Sequence, residues 1–269
     1  MKTAYLIYCP EEAEKNHLFI RMFQEAGEKY GIKFSYVPVQ EYRNLPLPDL
    51  VLNRTRQTIV SRWYEGRKIP VYHSADLVRL GNDKYLCLDY LQNTLPSEIS
   101  ETDWAPESIC LYSEEREKLL KEQKFSQRVR QFADGRQKLV IKTADGHGGS
   151  EVYLLPSDVA QDCAIWSELL GKLKGKKLLL QEKIECDSRD LRVYILGGKI
   201  YEAILRQGKE DFRSNYSLGG QVSQYTLSPE QKVFVQYFIQ AFGGEQLGMA
   251  GIDFLLDRSD HLIFNELEE

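Results

Sequence analysis

Histidine is scarce in this 269-residue chain, and the four that occur are not grouped for chemistry. His17, His73, His147 and His261 lie far apart, with no pair at metal-ligand spacing, which argues against a histidine-bound zinc site. Cysteine is equally sparse: Cys9, Cys87, Cys110, Cys163 and Cys186 are odd in number and contain no CxxC. They read as reduced, mostly buried thiols rather than a disulfide framework. No Ser-His or Cys-His arrangement stands out to support a nucleophilic side chain. No apolar run approaches the roughly 18 residues of a membrane span. Met1–Tyr8 is too short for a signal-peptide core before Cys9-Pro10 ends it. The expectation is a cytoplasmic protein with no membrane partner. A net charge of −5 gives no global basic field, so a dedicated nucleic-acid binder is not expected either. Internal repeats and low-complexity tracts are absent.

What is present is ordinary globular composition, 42% hydrophobic and 28% charged, with length enough for two or three modest domains. Residues 4–8 predict a buried strand, followed by one helix over 11–31, a strand near 33–37 and another at 49–54. A helix over 58–65 and a strand over 69–72 complete a β-α-β-β-α-β order, which predicts a small, mostly parallel sheet. The polar stretch 79–83 marks a boundary, and 84–92 predicts a helix. After a loop-like 95–106 comes a charged helical segment over 113–132. Strands follow at 138–142, 151–155 and 178–182, with a helix over 158–172 between the last two. A hairpin at 190–206, a helix over 229–242 and strands at 252–256 and 261–264 finish the chain, the last two joined by the turn Asp257-Arg258-Ser259-Asp260.

The end of the chain carries the strongest chemical signal. Side chains alternate along a strand, so Glu266 and Glu268 share a face, and Asp253 on the neighbouring strand is placed to join them. Three carboxylates on one hairpin repel unless a hard cation sits among them, and Mg²⁺ completed by nucleotide phosphates suits that role. The loop Thr143–Ser150, with Gly146, Gly148 and Gly149, lies between two strands. That placement excludes a Walker A loop or a Rossmann fingerprint, which need a following helix. Glycines at a hairpin tip can still turn backbone N–H groups onto phosphates. Lys142 precedes that loop, and Lys84 opens a helix where a second phosphate-directed amine would fit.

Gln181-Glu182-Lys183-Ile184 follows an apolar strand, where exposed backbone groups suit an adenine edge. Asp190 and Arg192 share a strand face and are placed as an internal ion pair. Arg213 and Asn215 flank a serine; a fixed guanidinium suits charge spreading over a transferred phosphoryl group or an acyl phosphate, and Asn215 is placed to orient a second ligand oxygen. Arg54 and Arg56 follow an N-terminal strand and are placed to pair with a substrate carboxylate. A bland reading stands beside each: a flexible hairpin, solvated lysines and arginines, or a solvated acidic end.

Taken in order, Asp83-Lys84, Val140-Ile141-Lys142 with its glycine loop, Leu180-Gln181-Glu182, Asp190-Leu191-Arg192, Asp211–Asn215, Gly251-Ile252-Asp253 and Asn265-Glu266-x-Glu268 resemble an ATP-grasp protein. The resemblance covers nearly the whole chain and is strongest to the RimK-like branch, which contains ribosomal-protein glutamate ligases and the spore-coat-associated YheC/YheD proteins. It implies an α/β and α+β fold: a pre-ATP-grasp domain (1–80), then ATP-grasp subdomains over 81–180, with the glycine-rich loop, and 181–269, with the metal site.

The same resemblance implies ATP with Mg²⁺, Mn²⁺ being the alternative. It puts Lys84, Lys142 and the loop glycines on the phosphates. Gln181, Glu182 and the backbone of Lys183 and Ile184 fall on the adenine side, with Asp190 towards the ribose. Arg213 stabilises the acyl phosphate, and Asp253, Glu266 and Glu268 hold the metal. Glu268 departs from the asparagine usual in the family, adding negative charge, and the family normally continues past this point beside the metal site. The implied activity joins a small-molecule or peptide carboxylate to an amine or thiol through an acyl phosphate. The alternatives are an ATP-binding structural protein without turnover and a small-molecule kinase. Homo-oligomers are common in the resembling family.

Overall fold

The computed structural model describes residues 1–122, 126–146, 151–157, 159–208 and 221–268. The N-terminal part runs β1 (Lys2–Tyr8), α1 (Pro10–Lys15), α2 (His17–Lys29), β2 (Ile32–Pro38), β3 (Leu50–Asn53), α3 (Thr58–Glu65) and β4 (Val71–Tyr72). Its four strands form a parallel sheet in the order β2-β1-β3-β4. Alternation along β1 feeds both faces. Leu6 and Tyr8 pack with Ala13 and Ile20 on one side, and Ile7 packs with Val51, Val60 and Tyr64 on the other. The single helix expected over 11–31 is broken at Asn16. Its backbone N–H and its side-chain Nδ2 both donate to the Glu12 carbonyl, at 3.0 and 2.8 Å. That local competition with the helix ladder ends α1 and starts α2 at the same residue.

Where the sequence suggested only a boundary, α4 (Ala75–Gly81) forms, its first turn capped by Ser74, which accepts from the Leu77 N–H at 3.2 Å. Asp83 caps α5 (Lys84–Thr94) in the same way by accepting from Leu86, and the short α6 (Ser97–Ser100) follows. The next layer holds β5 (Ser108–Leu111), α7 (Ser113–Glu122), α8 (Gln127–Ala133), β6 (Lys138–Thr143), β7 (Val152–Pro156), α9 (Val159–Lys172) and β8 (Leu178–Glu182). Its antiparallel sheet has the order β5-β8-β6-β7. Leu139, Ile141, Leu178 and Leu180 face Trp166, Leu169 and Phe132 in one core.

The last layer contains β9 (Arg189–Leu196), β10 (Lys199–Gln207), β11 (Gln221–Gln224), α10 (Pro229–Ala241), β12 (Met249–Leu256) and β13 (Leu262–Glu268), in the sheet order β11-β10-β9-β12-β13. Leu191, Val193, Ile195, Ile252 and Phe254 cover one face and pack on Val235, Phe238 and Ile239 of α10. Cys87 and Leu91 bring α5 into the same core. The alternate residues therefore emerge on the opposite face, where Asp190 and Arg192 of β9 stand beside Asp253 of β12. Cys87, Cys110 and Cys186 are buried thiols and Cys9 is half-buried. No helix among the described residues is long and apolar enough to cross a membrane.

Candidate functional site

The two antiparallel sheets face each other across a cleft of about 300 Å³. Its wall includes Lys84, Lys142, Gly146, Gln181, Glu182, Lys183, Ile184, Asp190, Asn265 and Glu266, with Val140, Val152 and Leu255 supplying apolar surface. Residues from five separate segments thus meet in one place.

The carboxylates meet because of strand register. Asp253 pairs with Glu266 and Gly251 with Glu268, so all three acids share the face of the β12–β13 hairpin turned away from α10. One oxygen from each lies within 4.8 Å of the others. A bulge sits between the pairs Asp253↔Glu266 and Phe254↔Phe264, leaving Asn265 as the extra residue on β13. This irregularity lets two consecutive side chains, Asn265 and Glu266, line the cleft, which plain alternation forbids.

Repulsion among the three acids is met inside the protein. Arg192 donates to both oxygens of Asp253 at 2.7 Å, and Arg206 adds a third hydrogen bond at 2.7 Å. Arg192 also lies 3.4 Å from Glu268, and Lys84 lies 3.2 Å from Glu266. Asp253 is only 1% exposed, so these bonds form in a poorly screened environment. Burial opposes the charge on both guanidiniums, but the carboxylates together outweigh it, Asp253 with Glu268 and Glu266 for Arg192 and Asp253 with Asp190 for Arg206, and both are held above the usual arginine range. The expectation that crowding alone demands a cation is therefore corrected: two arginines and a lysine already share that charge.

The lysines come from opposite sides. Lys84 sits at the start of α5, 8% exposed, and its amine donates to the Gly146 carbonyl. Lys142, at 5% exposure, donates to Asn265 Oδ1 at 3.2 Å. Burial and the nearby charge of Lys84 lower Lys142 from 10.5 to about 8, against the pull of Glu266. Gly146 has no room for a side chain, since a Cβ there would stand 2.1 Å from Thr143 Oγ1. Its own N–H is directed at the Thr143 carbonyl, 3.4 Å away, so at this glycine it is the carbonyl, not the N–H, that meets the site. Gly148 and Gly149 lie outside the described residues, as do Arg213 and Asn215.

The β8 end is also more committed than expected. Gln181 is buried and donates to Ser108 Oγ at 2.6 Å. The Glu182 carboxylate accepts from the Glu107 N–H at 2.9 Å, and the Lys183 amine pairs with Glu185. Both residues still line the cleft, leaving the backbone around 183–184 at its edge. The expected Asp190–Arg192 pair is not formed. Asp190 instead receives two bonds from Arg206, at 2.6 and 2.8 Å, because β9 and β10 place those two residues directly opposite. Arg192 faces Asp253 by the same logic on the other side of β9. Arg206 and Asn265 are the site residues that the sequence reading did not assign. Arg54 and Arg56 are not part of this cleft's wall, and Arg56 is exposed.

Comparison with known proteins matches this arrangement. Residues 108–269, more than half of the chain, match the RimK-like ATP-grasp domain. A probable alpha-L-glutamate ligase of Maridesulfovibrio salexigens is 35% identical over 127 residues, covering 46% of this chain and 39% of that protein. The chain thus matches only part of the length of such curated relatives, 39% in this one. Among solved structures, D-alanine–D-alanine ligase from Bacillus anthracis complexed with ATP aligns with a TM-score of 0.70 at 13% identity, covering 100% of this chain and 86% of the other. A RiPP-associated ATP-grasp ligase from Chryseobacterium gregarium, in complex with ADP and a leader and core peptide, aligns at 0.67 and 13% identity, covering 99% and 89%. These neighbours share the mixed α/β ATP-grasp fold, and with its match over residues 108–269 the chain belongs to the RimK-like ATP-grasp family.

Proposed function

We propose that this protein is an ATP-dependent carboxylate–amine ligase working through an acyl phosphate. The observation that carries the reading is the cleft itself, where two buried lysines and an oxygen-only carboxylate triad flank an apolar slot. In the proposed reaction a substrate carboxylate oxygen attacks the γ-phosphorus of ATP, and the bond to the β-phosphate oxygen breaks to release ADP. An amine then attacks the acyl carbon, phosphate leaves, and the amine loses a proton as the amide forms. A thiol could replace the amine.

Lys84 and Lys142 would bind and orient the phosphates from opposite walls, with Gly146, Gly148 and Gly149 as further cofactor-binding positions. Gln181, Glu182 and the backbone of Lys183 and Ile184 would hold the adenine side, and Asp190 the ribose side. Arg213 and Asn215 would steady the acyl phosphate. The donor set of Asp253, Glu266 and Glu268 fits a hard cation, all oxygen and within reach of one another. Mg²⁺, or Mn²⁺ in its place, would draw charge from the phosphate oxygens there. Arg192 and Arg206 fix the orientation of the Asp253 carboxylate through three hydrogen bonds. We read the N-terminal parallel sheet as the substrate-side domain over 1–80. The two antiparallel sheets would be the nucleotide-gripping halves, over 81–180 and 181–269.

The relatives named above support carboxylate–amine chemistry, and the peptide-bound neighbour supports a peptide among the substrates to test. Calorimetry of ATP and ADP with and without Mg²⁺ is the first test. Micromolar, metal-dependent affinity followed by phosphate and a new amide from a carboxylate and amine panel is the expected result. A stable phosphorylated product would make it a kinase, and binding without turnover a structural protein. No nucleotide binding would overturn the reading.

A further inference from the structure

A second group of polar side chains, away from the nucleotide cleft, has no use in the chemistry above. It gathers at the carboxyl ends of the parallel strands. Tyr8 ends β1, Arg54 follows β3, and His73 follows β4. In the order β2-β1-β3-β4 the chain reverses direction across the sheet between β1 and β3, the place where open α/β sheets form a ligand crevice.

Two atoms in this group are buried without a hydrogen-bond partner, Arg54 Nε and His73 Nδ1. Such atoms cost about 1–3 kcal/mol each when left unmet, so a frame that holds them in place calls for an explanation. The frame is rigid. Asn53 Oδ1 accepts from the Thr55 N–H at 3.0 Å and its hydroxyl at 2.7 Å, while Asn53 Nδ2 donates to Ser61 Oγ at 2.9 Å. Ser61 in turn donates to the His73 carbonyl at 2.7 Å, and the Arg54 N–H bonds the Ile7 carbonyl at 2.9 Å. The Arg54 guanidinium lies near enough to Tyr8 to work against the rise that burial gives its hydroxyl pKa, and near enough to His73 to oppose its protonation.

The tautomer of His73 follows from its other bond. Nε2 lies 2.8 Å from the Met249 carbonyl, which can only accept, so Nε2 carries the hydrogen. The ring is 3% exposed, and burial lowers it to about 4, so it is neutral at pH 7. Nδ1 therefore offers a lone pair that wants a donor, while Arg54 Nε–H wants an acceptor.

We propose that Arg54 and His73 form a second subsite that takes a carboxylate flanked by an N–H on its α-carbon, the chemistry of a peptide's carboxyl-terminal residue or a free α-amino acid. The carboxylate accepts from Arg54 and the N–H donates to His73. The position bears on which source fits. His73 grips the first residue of β12, and Asp253 lies four residues further along the same strand, about 13 Å at the usual strand rise. Taken with the ligase reading, on which this step rests, one molecule held here and reacting at the carboxylate triad must span about four extended residues. A short peptide does that and a single amino acid does not.

The test is binding to the full chain without nucleotide, read by the ring nitrogen resonances of His73. The probes are the twenty L-amino acids singly, and tri- and tetra-alanine with free or amidated carboxyl ends. The expected result is a shift at Nδ1 with a free-ended peptide, and at least tenfold weaker binding after amidation. Arg54→Lys, which keeps the charge and loses the Nε–H, should weaken it as much. Binding by free amino acids alone would keep the subsite and refute the peptide span. No shift with any probe, or affinity indifferent to both amidation and Arg54→Lys, would overturn the proposal and leave the two atoms to a buried water. ATP calorimetry on the same sample separates the two readings, since lost nucleotide binding with intact peptide binding sinks the ligase and not the subsite.

Discussion

Lys142→Met should make the nucleotide-free protein more stable, although it removes a charged group from the heart of the site. Burial and Lys84 bring Lys142 from 10.5 to about 8 in the folded chain. At about 1.4 kcal/mol per pH unit, that gap means that holding the ammonium in place costs about 3 kcal/mol at neutral pH. The hydrogen bond to Asn265 recovers about 1 kcal/mol of any neutral replacement's advantage, so the variant should gain about 2–3 kcal/mol at pH 7. The sign of the pH dependence is fixed by the direction of the shift. Between about pH 8 and 10.5 the unfolded chain binds more protons at this lysine than the folded one, so its stability contribution rises with pH. The penalty is complete below pH 8 and gone above 10.5. Urea unfolding followed by circular dichroism at pH 7, 9 and 10.5, for wild type and variant, measures it. The variant's advantage should shrink as pH rises. A variant no more stable than wild type at pH 7, or an advantage that does not change with pH, would refute the reasoning.

Asp253→Asn should destabilise the protein by about 3–5 kcal/mol in chemical unfolding, since it strips the shared partner from two largely buried guanidiniums. Little change would mean that Arg192 and Arg206 find other partners. Glu266→Gln should weaken ATP binding more with Mg²⁺ than in EDTA, because the change removes a cation ligand yet frees Lys84 for phosphate; equal effects by calorimetry would take Glu266 out of the metal site. Gly146→Ala should cost about 1–3 kcal/mol, as the new methyl group displaces the Thr143 hydroxyl from Glu151, and unfolding at wild-type urea concentrations would contradict it.

Local pattern carried much of this structure. The strand Leu178–Glu182 and the helix Thr58–Glu65 occur with the bounds that their sequence predicts, because short apolar runs and helical spacing decide them without outside help. The acid triad was legible for the same reason, resting on period-two alternation across one hairpin. What the sequence hid depends on distant partners. Nothing near Arg206 announces that β9 will set it opposite Asp190, and the choice between Arg192 and Arg206 for that acid is made only by register. Asn265 reaches the cleft through a bulge that alternation cannot foresee. Asn16 reads as one polar residue within a helical pattern, yet its side chain ends a turn. The use of Glu182 on the Glu107 backbone likewise requires β5, a strand too short to stand out from the loop before it.

The ion pairs of the cleft also bear on how fast it can fill. Among the described residues lining it, Lys84, Lys142 and Lys183 stand against Glu151, Glu182, Glu185, Asp187, Asp190 and Glu266, while Arg192 and Arg206 are tied up by Asp253, Asp190 and Glu268, on a chain whose net charge is −5. A polyanion diffusing towards this mouth meets no long-range attraction, only a short-range reward once it is inside. Association should therefore run at the unsteered rate of about 10⁵–10⁶ M⁻¹s⁻¹, and added salt should leave it level or quicken it slightly, where a basic funnel would be slowed.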